Sequence, residues 1–130
     1  MEHVFRLKRG QDLKKEIIKY ATEKNISAGI VVCCVGCVYE ANIRLANGVD
    51  NLYKVEPFEI VSITGTVSPD GVHIHISLSD INGNTIGGHL NDGCLVNTTA
   101  EICILELGQY KFKRTFAEDT GYNELYVEKV

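Results

Sequence analysis

Three of the four histidines in this 130-residue chain fall within residues 57–97. His73 and His75 lie two residues apart in the segment VHIHISLS, where apolar and polar residues alternate. Because successive side chains of a strand point to opposite faces, both imidazoles share one face and the apolar side chains share the other. His89 follows in the segment GGHL. Imidazole is a common metal ligand, so the spacing predicts a three-histidine site, provided that His89 joins the pair.

Two turns decide whether His89 joins that pair. Residues 68–71 (SPDG) and 80–83 (DING) both have the composition of a type I turn followed by a one-residue bulge at the glycine. Counting outward from such turns places Gly65 opposite His75, and His75 opposite His89. Directly opposed Cβ atoms lie about 4.5–5.5 Å apart. The turn composition therefore predicts that the three rings converge.

A second register is open at the turn before His89. Asn82-Gly83 also suits a two-residue type I′ turn, which slips the pairing by one residue and sends His89 to the apolar face. A bulge at Gly87-Gly88 could correct either register. We favour the convergent arrangement on turn chemistry.

Three imidazoles with an open fourth position are typical of a site that activates water, and zinc is the ion that we expect. Nickel and copper also suit imidazole. Glu59 and Glu101 are candidates for the carboxylate that accepts a ligand's second N–H, or for a general base. The alternatives are a hydrogen-bonded histidine cluster without an ion, and buried glutamates paired with Arg44 or Arg6.

The charge balance argues against a surface built for duplex DNA. With 13 basic and 17 acidic residues, the chain has a formal net charge of −4. The basic residues are scattered, and the clusters at 8–9 and 111–114 (KFKR) suit solvated strand ends. No apolar run resembles a signal peptide or a membrane span, so we expect a cytoplasmic protein.

Five cysteines without a signal peptide indicate reduced thiols rather than a disulfide framework. Cys33, Cys34 and Cys37 lie in IVVCCVGCV, an apolar run that predicts a buried strand. Zinc ligation would need a second pair at matching spacing, which Cys94 and Cys103 do not supply. We therefore interpret the cluster as packing residues.

The remaining periodicity predicts one domain, residues 1–130, of class α+β: a mostly antiparallel sheet with one main N-terminal helix packed on it. Strands are predicted at 3–8, 28–45 with a bend at Gly36, 51–55, 94–107, 110–116 and 122–130, and the helix at 11–25 with its end at Asn25. His3, near the terminus, is expected at the surface. Residues 94–107 are apolar on both faces, and one helix covers only one of them, which predicts an oligomer.

The segments FEIVSITGTVSPDGVHIHISLSD and GGHLNDGCLVNTTAEI resemble the plant and prokaryote conserved (PPC) domain. This domain is found alone in bacteria and archaea and beside AT-hooks in plants. The strongest matches are Glu59, Gly65, Ser68, Asp70-Gly71, His73, His75, Asp80, Gly87-Gly88-His89 and Glu101, and the resemblance extends over nearly the whole chain.

The resemblance implies an antiparallel sheet and a homotrimer. Some prokaryotic members hold a metal through three histidines that match His73, His75 and His89. The family is commonly labelled DNA-binding, but the Arg-Gly-Arg core of an AT-hook is absent here, so we expect only weak binding of nucleic acid by this chain alone.

Three functions follow from these observations as hypotheses. The first is a small trimeric binding or regulatory module with a three-histidine metal site. The second is a zinc-dependent enzyme that acts on a small ligand at the subunit interface. The third is a DNA-associated protein that acts through partners.

Overall fold

The predicted elements are all present, with boundaries within two residues of those expected. The computed structural model describes residues 1–130. The elements, in chain order, are β1 (Glu2–Lys8), α1 (Leu13–Glu23), β2 (Gly29–Arg44), β3 (Asn51–Lys54), β4 (Phe58–Ser68), β5 (Gly71–Ser79), β6 (Thr85–Leu90), β7 (Leu95–Glu106), β8 (Tyr110–Phe116) and β9 (Asn123–Lys129).

Seven strands form one antiparallel sheet in the order β1-β7-β2-β4-β5-β6, with β3 paired to β2. The end of β2 also pairs with β6, so the sheet curls until β2, β4, β5 and β6 close on themselves. Strands β8 and β9 form a separate hairpin. The predicted α+β class, with a mostly antiparallel sheet, is confirmed.

The helix begins at a side-chain cap and ends at a residue in the left-handed conformation. The carboxylate of Asp12 accepts hydrogen bonds from the backbone N–H of Lys15 (3.0 Å) and of Gly93 (2.7 Å), which caps the helix and ties it to the turn before β7. Asn25, with φ of +53°, adopts the left-handed conformation that ends a helix, as predicted. Leu13, Ile17 and Ala21 are buried at four-residue spacing against the sheet.

Strand β2 depends on a glycine near its middle. A Cβ on Gly36 would lie 2.0 Å from the carbonyl oxygen of Thr99, and the register with β7 shifts immediately after Gly36. The predicted bend is therefore present, and no larger residue fits there. The bend lets one strand pair with β4 and β7 along most of its length and with β3 and β6 at its end.

The helix covers one face of the sheet and leaves the other open. A cluster of 23 buried apolar residues lies on the helix side. On the opposite side, Val4, Val32, Val35 and Val61 are 74%, 55%, 60% and 57% exposed. These exposed valines lie on β1, β2 and β4, whereas the oligomer was predicted from residues 94–107 on β7; the oligomer itself stays a prediction. The 11-residue helix is neither long nor apolar enough to cross a membrane.

Two sequence predictions about burial were wrong. His3 is buried: its Nε2 lies 2.8 Å from Oε1 of Glu106, and its Nδ1 lies 3.2 Å from the hydroxyl of Tyr20. Cys33 is exposed, because the register shifts by one residue between Val31 and Cys33. All five thiols are free. The interpretation as a packing residue is confirmed for Cys34, which is buried, and this burial raises the pKa of its thiol to about 12.

Candidate metal centre

The hairpin between β5 and β6 has the predicted register. The N–H of Gly83 donates to the carbonyl of Asp80 (3.0 Å), and the N–H of Asp80 donates to the carbonyl of Asn84 (2.9 Å). With φ of +82° at Gly83, the turn is type I with a following bulge rather than type I′. His75 consequently lies directly opposite His89, as expected.

The hairpin between β4 and β5 differs from the prediction by one residue. Ser68 pairs with Gly71 instead of Val72, so Thr64, and not Gly65, lies opposite His75. The hydroxyl of Ser68 donates to the carbonyl of Gly71 (2.9 Å) and accepts from the N–H of Asp70 (3.2 Å), which draws the glycine into the ladder.

The corrected register changes the surroundings of the histidines. Thr66 lies opposite His73 and Thr64 opposite His75, so the residues of β4 that face the rings carry hydroxyls. Gly65 lies opposite Ile74, where a Cβ would come within 2.6 Å of its Cγ1. The glycine is needed for packing on the core side.

The three rings form one cluster. The centroid distances are 5.1 Å for His73–His75, 5.3 Å for His73–His89 and 5.8 Å for His75–His89. One nitrogen from each ring lies within 4.8 Å of the others. Tetrahedral bonds of about 2.0–2.1 Å place ligand nitrogens about 3.3 Å apart, so the nitrogens would close by about 1.5 Å at most. The exposed rings of His73 and His75 leave room for such rotations.

The charge state of the cluster suits a cation. Burial, and then the guanidinium of Arg44, lower the pKa of His89 to about 4. Partial burial, followed by Arg114, also lowers the pKa of His73. Both rings are therefore neutral at pH 7, which is the state that binds metal. The Nδ1 atom of His89 is buried and has no hydrogen-bond partner. Neutral imidazoles with an unpaired buried nitrogen fit a divalent ion.

A cavity of about 490 Å³ opens beside the cluster. Its walls come from the end of β2, the two hairpins that carry the histidines, and the C-terminal hairpin β8–β9. Its lining residues are Arg44, Ala46, Asn47, Gly48, Asp70, Gly71, Val72, His73, His89, Arg114, Tyr122, Asn123 and Glu124. The histidines thus border a space large enough for a small organic molecule.

Two arginines enter this cavity from different strands. Arg44 lies directly opposite His89, and Gly88 permits that approach, because a Cβ there would lie 2.5 Å from the carbonyl oxygen of Arg44. Arg114 donates from Nη2 to the hydroxyl of Thr66 (2.9 Å). Sequence reasoning weighed Arg44 only as a partner for a glutamate and placed Arg114 at a solvated strand end. No local pattern links either residue to the histidines.

Glu59 and Glu101 do not reach the cluster within one chain. Both are exposed. Glu59 lies opposite Ser79, four residues beyond His75, or about 13 Å away along the strand. Glu101 lies on β7 opposite Arg6. The alternative of a buried ion pair is wrong, because the chain's two ion pairs, His3–Glu106 and Lys113–Glu128, involve neither glutamate.

These features define a class of small antiparallel-sheet proteins with a histidine cluster on the sheet face away from the helix. Residues 1–108 match the Plants and Prokaryotes Conserved (PCC) domain, and the chain belongs to this family. The family is the one that its motifs resemble. The C-terminal hairpin β8–β9 and its connecting turn, which supply Arg114, Tyr122 and Glu124, lie outside the matched residues.

Several solved structures share the whole fold. A hypothetical protein from Salmonella enterica is 29% identical with a TM-score of 0.95, covering 99% of this chain and 94% of that one. The metal-containing protein AF0104 from Archaeoglobus fulgidus is 30% identical with a TM-score of 0.81, covering 97% and 93%. A plant- and prokaryote-conserved protein from Pyrococcus horikoshii is 25% identical with a TM-score of 0.83, covering 100% and 94%.

The curated relatives are much longer. The chain is 43% identical over 125 residues to the bifunctional protein GlmU of Synechococcus sp. (strain JA-3-3Ab), which covers 96% of this chain but 20% of that protein. The same protein from strain JA-2-3B'a(2-13) is 42% identical over the same share. This chain therefore spans about a fifth of the curated relatives that it matches.

Proposed function

We propose that this protein is a homotrimeric binding module of the PCC family that holds a divalent ion, zinc in the first place, through His73, His75 and His89. The observation that carries the proposal is the convergence of one nitrogen from each ring to within 4.8 Å. The similar protein from Archaeoglobus fulgidus is described as metal-containing, which supports the same role here.

An oligomer is proposed from the uncovered sheet face, and its trimeric state from what the resemblance to the family implies. Strands β1, β2 and β4 carry the exposed valines Val4, Val32, Val35 and Val61, and β4 adjoins the histidine strand β5. Apolar surface of this kind is stabilised by burial against another subunit. A trimer would weigh three times 14.4 kDa, about 43 kDa. Light scattering after size-exclusion chromatography tests that mass, and a monomer at micromolar concentration would contradict it.

Elemental analysis of the purified protein tests the metal site. The wild type should carry close to one equivalent of metal per chain, and His75→Ala should lose most of it. Ser77→Ala is the matched control, because Ser77 follows His75 on the same face of β5 and lies outside the cluster. Equal metal content in the wild type and His75→Ala would remove the proposal.

A metal-dependent enzyme is the second candidate, and the cavity that borders His73 and His89 favours it. A zinc ion with three histidine ligands polarises a bound oxygen or activates water. Turnover of a small ligand should then stop on chelation and return with zinc. This candidate function also assumes that the cavity lies at a subunit interface of the proposed oligomer.

A DNA-associated role is the weakest candidate. Two solved neighbours described as DNA-binding are 22% and 19% identical, which supports a common fold alone. The formal charge of −4 gives little attraction to phosphates. Gel shifts at 50 and 200 mM salt test this role, since phosphate contacts must weaken steeply with salt.

A further inference from the structure

The two arginines at the cavity have an arrangement that the metal site alone does not explain. Arg44 comes from the end of β2 and Arg114 from β8, 70 residues later, yet both line the same space as His73 and His89. Both side chains are half-buried. Like charges brought together in a partly desolvated site cost free energy unless a counter-charge joins them.

No protein carboxylate neutralises this pair by direct contact. The chain's two ion pairs, His3–Glu106 and Lys113–Glu128, include neither arginine. Asp70 lines the cavity, but its carboxylate accepts the backbone N–H of Arg114 (2.9 Å), and this bond fastens the hairpin β8–β9 to the turn before β5. Glu124 also lines the cavity and forms no ion pair within 4 Å.

We propose that the cavity binds a small organic ligand through an oxyanion, a carboxylate or a phosphate group, held between the guanidinium groups of Arg44 and Arg114. The planar guanidinium donates paired N–H groups that match the oxygens of such a group. The proposal rests on the proposed metal site only for a third contact, an oxygen of the ligand on the ion. The volume of about 490 Å³ exceeds what a bare anion fills, so the ligand carries an organic body.

The C-terminal hairpin then determines which ligand enters. It supplies Arg114, Tyr122 and Glu124 and lies beyond the residues that match the family. Glu124 is the one acidic side chain in the cavity whose carboxylate bonds to nothing in the chain. It should repel the oxyanion, so removing its charge is expected to strengthen binding, while removing either arginine weakens it. Opposite effects on the two sides of one cavity distinguish this site from a general surface charge.

Isothermal titration calorimetry with inorganic phosphate and with malonate, on metal-free and zinc-loaded protein, tests the proposal. We expect binding that weakens tenfold or more in Arg44→Gln and Arg114→Gln and strengthens severalfold in Glu124→Gln. The probe that binds more tightly identifies the oxyanion. Lys113→Gln is the matched control, since it removes a positive charge from the same strand, where Lys113 pairs instead with Glu128 (3.1 Å).

A further variant separates the charge of Arg114 from its hydrogen bond to Thr66. Thr66→Val removes the partner of Arg114 but keeps both guanidinium groups, so it should retain more affinity than Arg114→Gln. Absence of binding by both probes, or unchanged affinity in both arginine variants, would overturn the proposal. Equal losses in Lys113→Gln and Arg44→Gln would overturn it as well.

Metal content measured on the same samples keeps the two proposals apart. Arginine-dependent binding by a protein that takes up no zinc when zinc is supplied supports the oxyanion site and removes the metal site. A wild type that carries metal but binds neither probe supports the metal site and removes the oxyanion site.

Discussion

The stability of the metal-free protein should depend on pH through His89. Its pKa is lowered to about 4 in the folded chain, against about 6.5 for an unperturbed histidine. Between these two values the unfolded state binds a proton that the folded state excludes. The free energy of unfolding therefore falls as the pH drops from about 6.5 to about 4, and this contribution is constant above that window.

The size of this effect follows from the shift and from the exposure of the ring. A difference of about 2.5 units corresponds to at most about 3.4 kcal/mol. Because the ring is only half-buried and solvent screens its neighbours, we expect about 1–2 kcal/mol.

Urea unfolding of the chelator-treated protein at several pH values between 7.5 and 4 measures this loss of stability. Other groups titrate in this range, so the relevant quantity is the difference between the wild type and His89→Gln. That difference should shift by about 1–2 kcal/mol in favour of the variant as the pH falls. Parallel stability curves for the two proteins across this window would refute the reasoning, because His89 would then have the same pKa in both states.

Two further predictions concern the sheet. Gly36→Ala should lower the free energy of unfolding by about 2–4 kcal/mol in urea titrations, because its Cβ would overlap a backbone carbonyl of β7 at 2.0 Å. Gly108→Ala, with nothing within 4 Å of the new Cβ, is the control, and equal losses in both would contradict the packing argument. Val35→Asp should shift the light-scattering mass from trimer to monomer with the far-UV circular dichroism spectrum of the sheet retained, since a charge on a 60% exposed valine harms only an interface. An unchanged trimer would place the interface elsewhere.

The histidine cluster shows which contacts can be predicted from local sequence patterns. Alternation placed His73 and His75 on one face, and the turn ending at Gly83 set the register that brought His89 opposite His75. The same reasoning failed by one residue at Gly71, although both turns have similar composition. There the bonds of Ser68 draw the glycine into the ladder, and the neighbouring Asp70 is held by a strand 44 residues further along.

The orientation of a side chain could be predicted where it depends on one strand or turn. Its burial or its neighbours could not be predicted where they depend on two elements that are distant in the chain. His3 near the terminus was expected at the surface, yet pairing of β1 with β7 buries it beside Glu106. Glu59 and Glu101 were candidates for the site by residue type alone, and the strand order leaves them away from the histidines.

The sequence by itself determined the elements, the class of fold and the shared face of the histidines, because strand alternation and turn composition act between residues close in the chain. Only the tertiary structure decided that Arg44, Arg114 and Glu124 surround one cavity. That convergence needs the bend at Gly36, which carries the end of β2 to β6, and the docking of the C-terminal hairpin on Asp70. Both depend on backbone contacts between segments far apart in the chain, which no local pattern encodes.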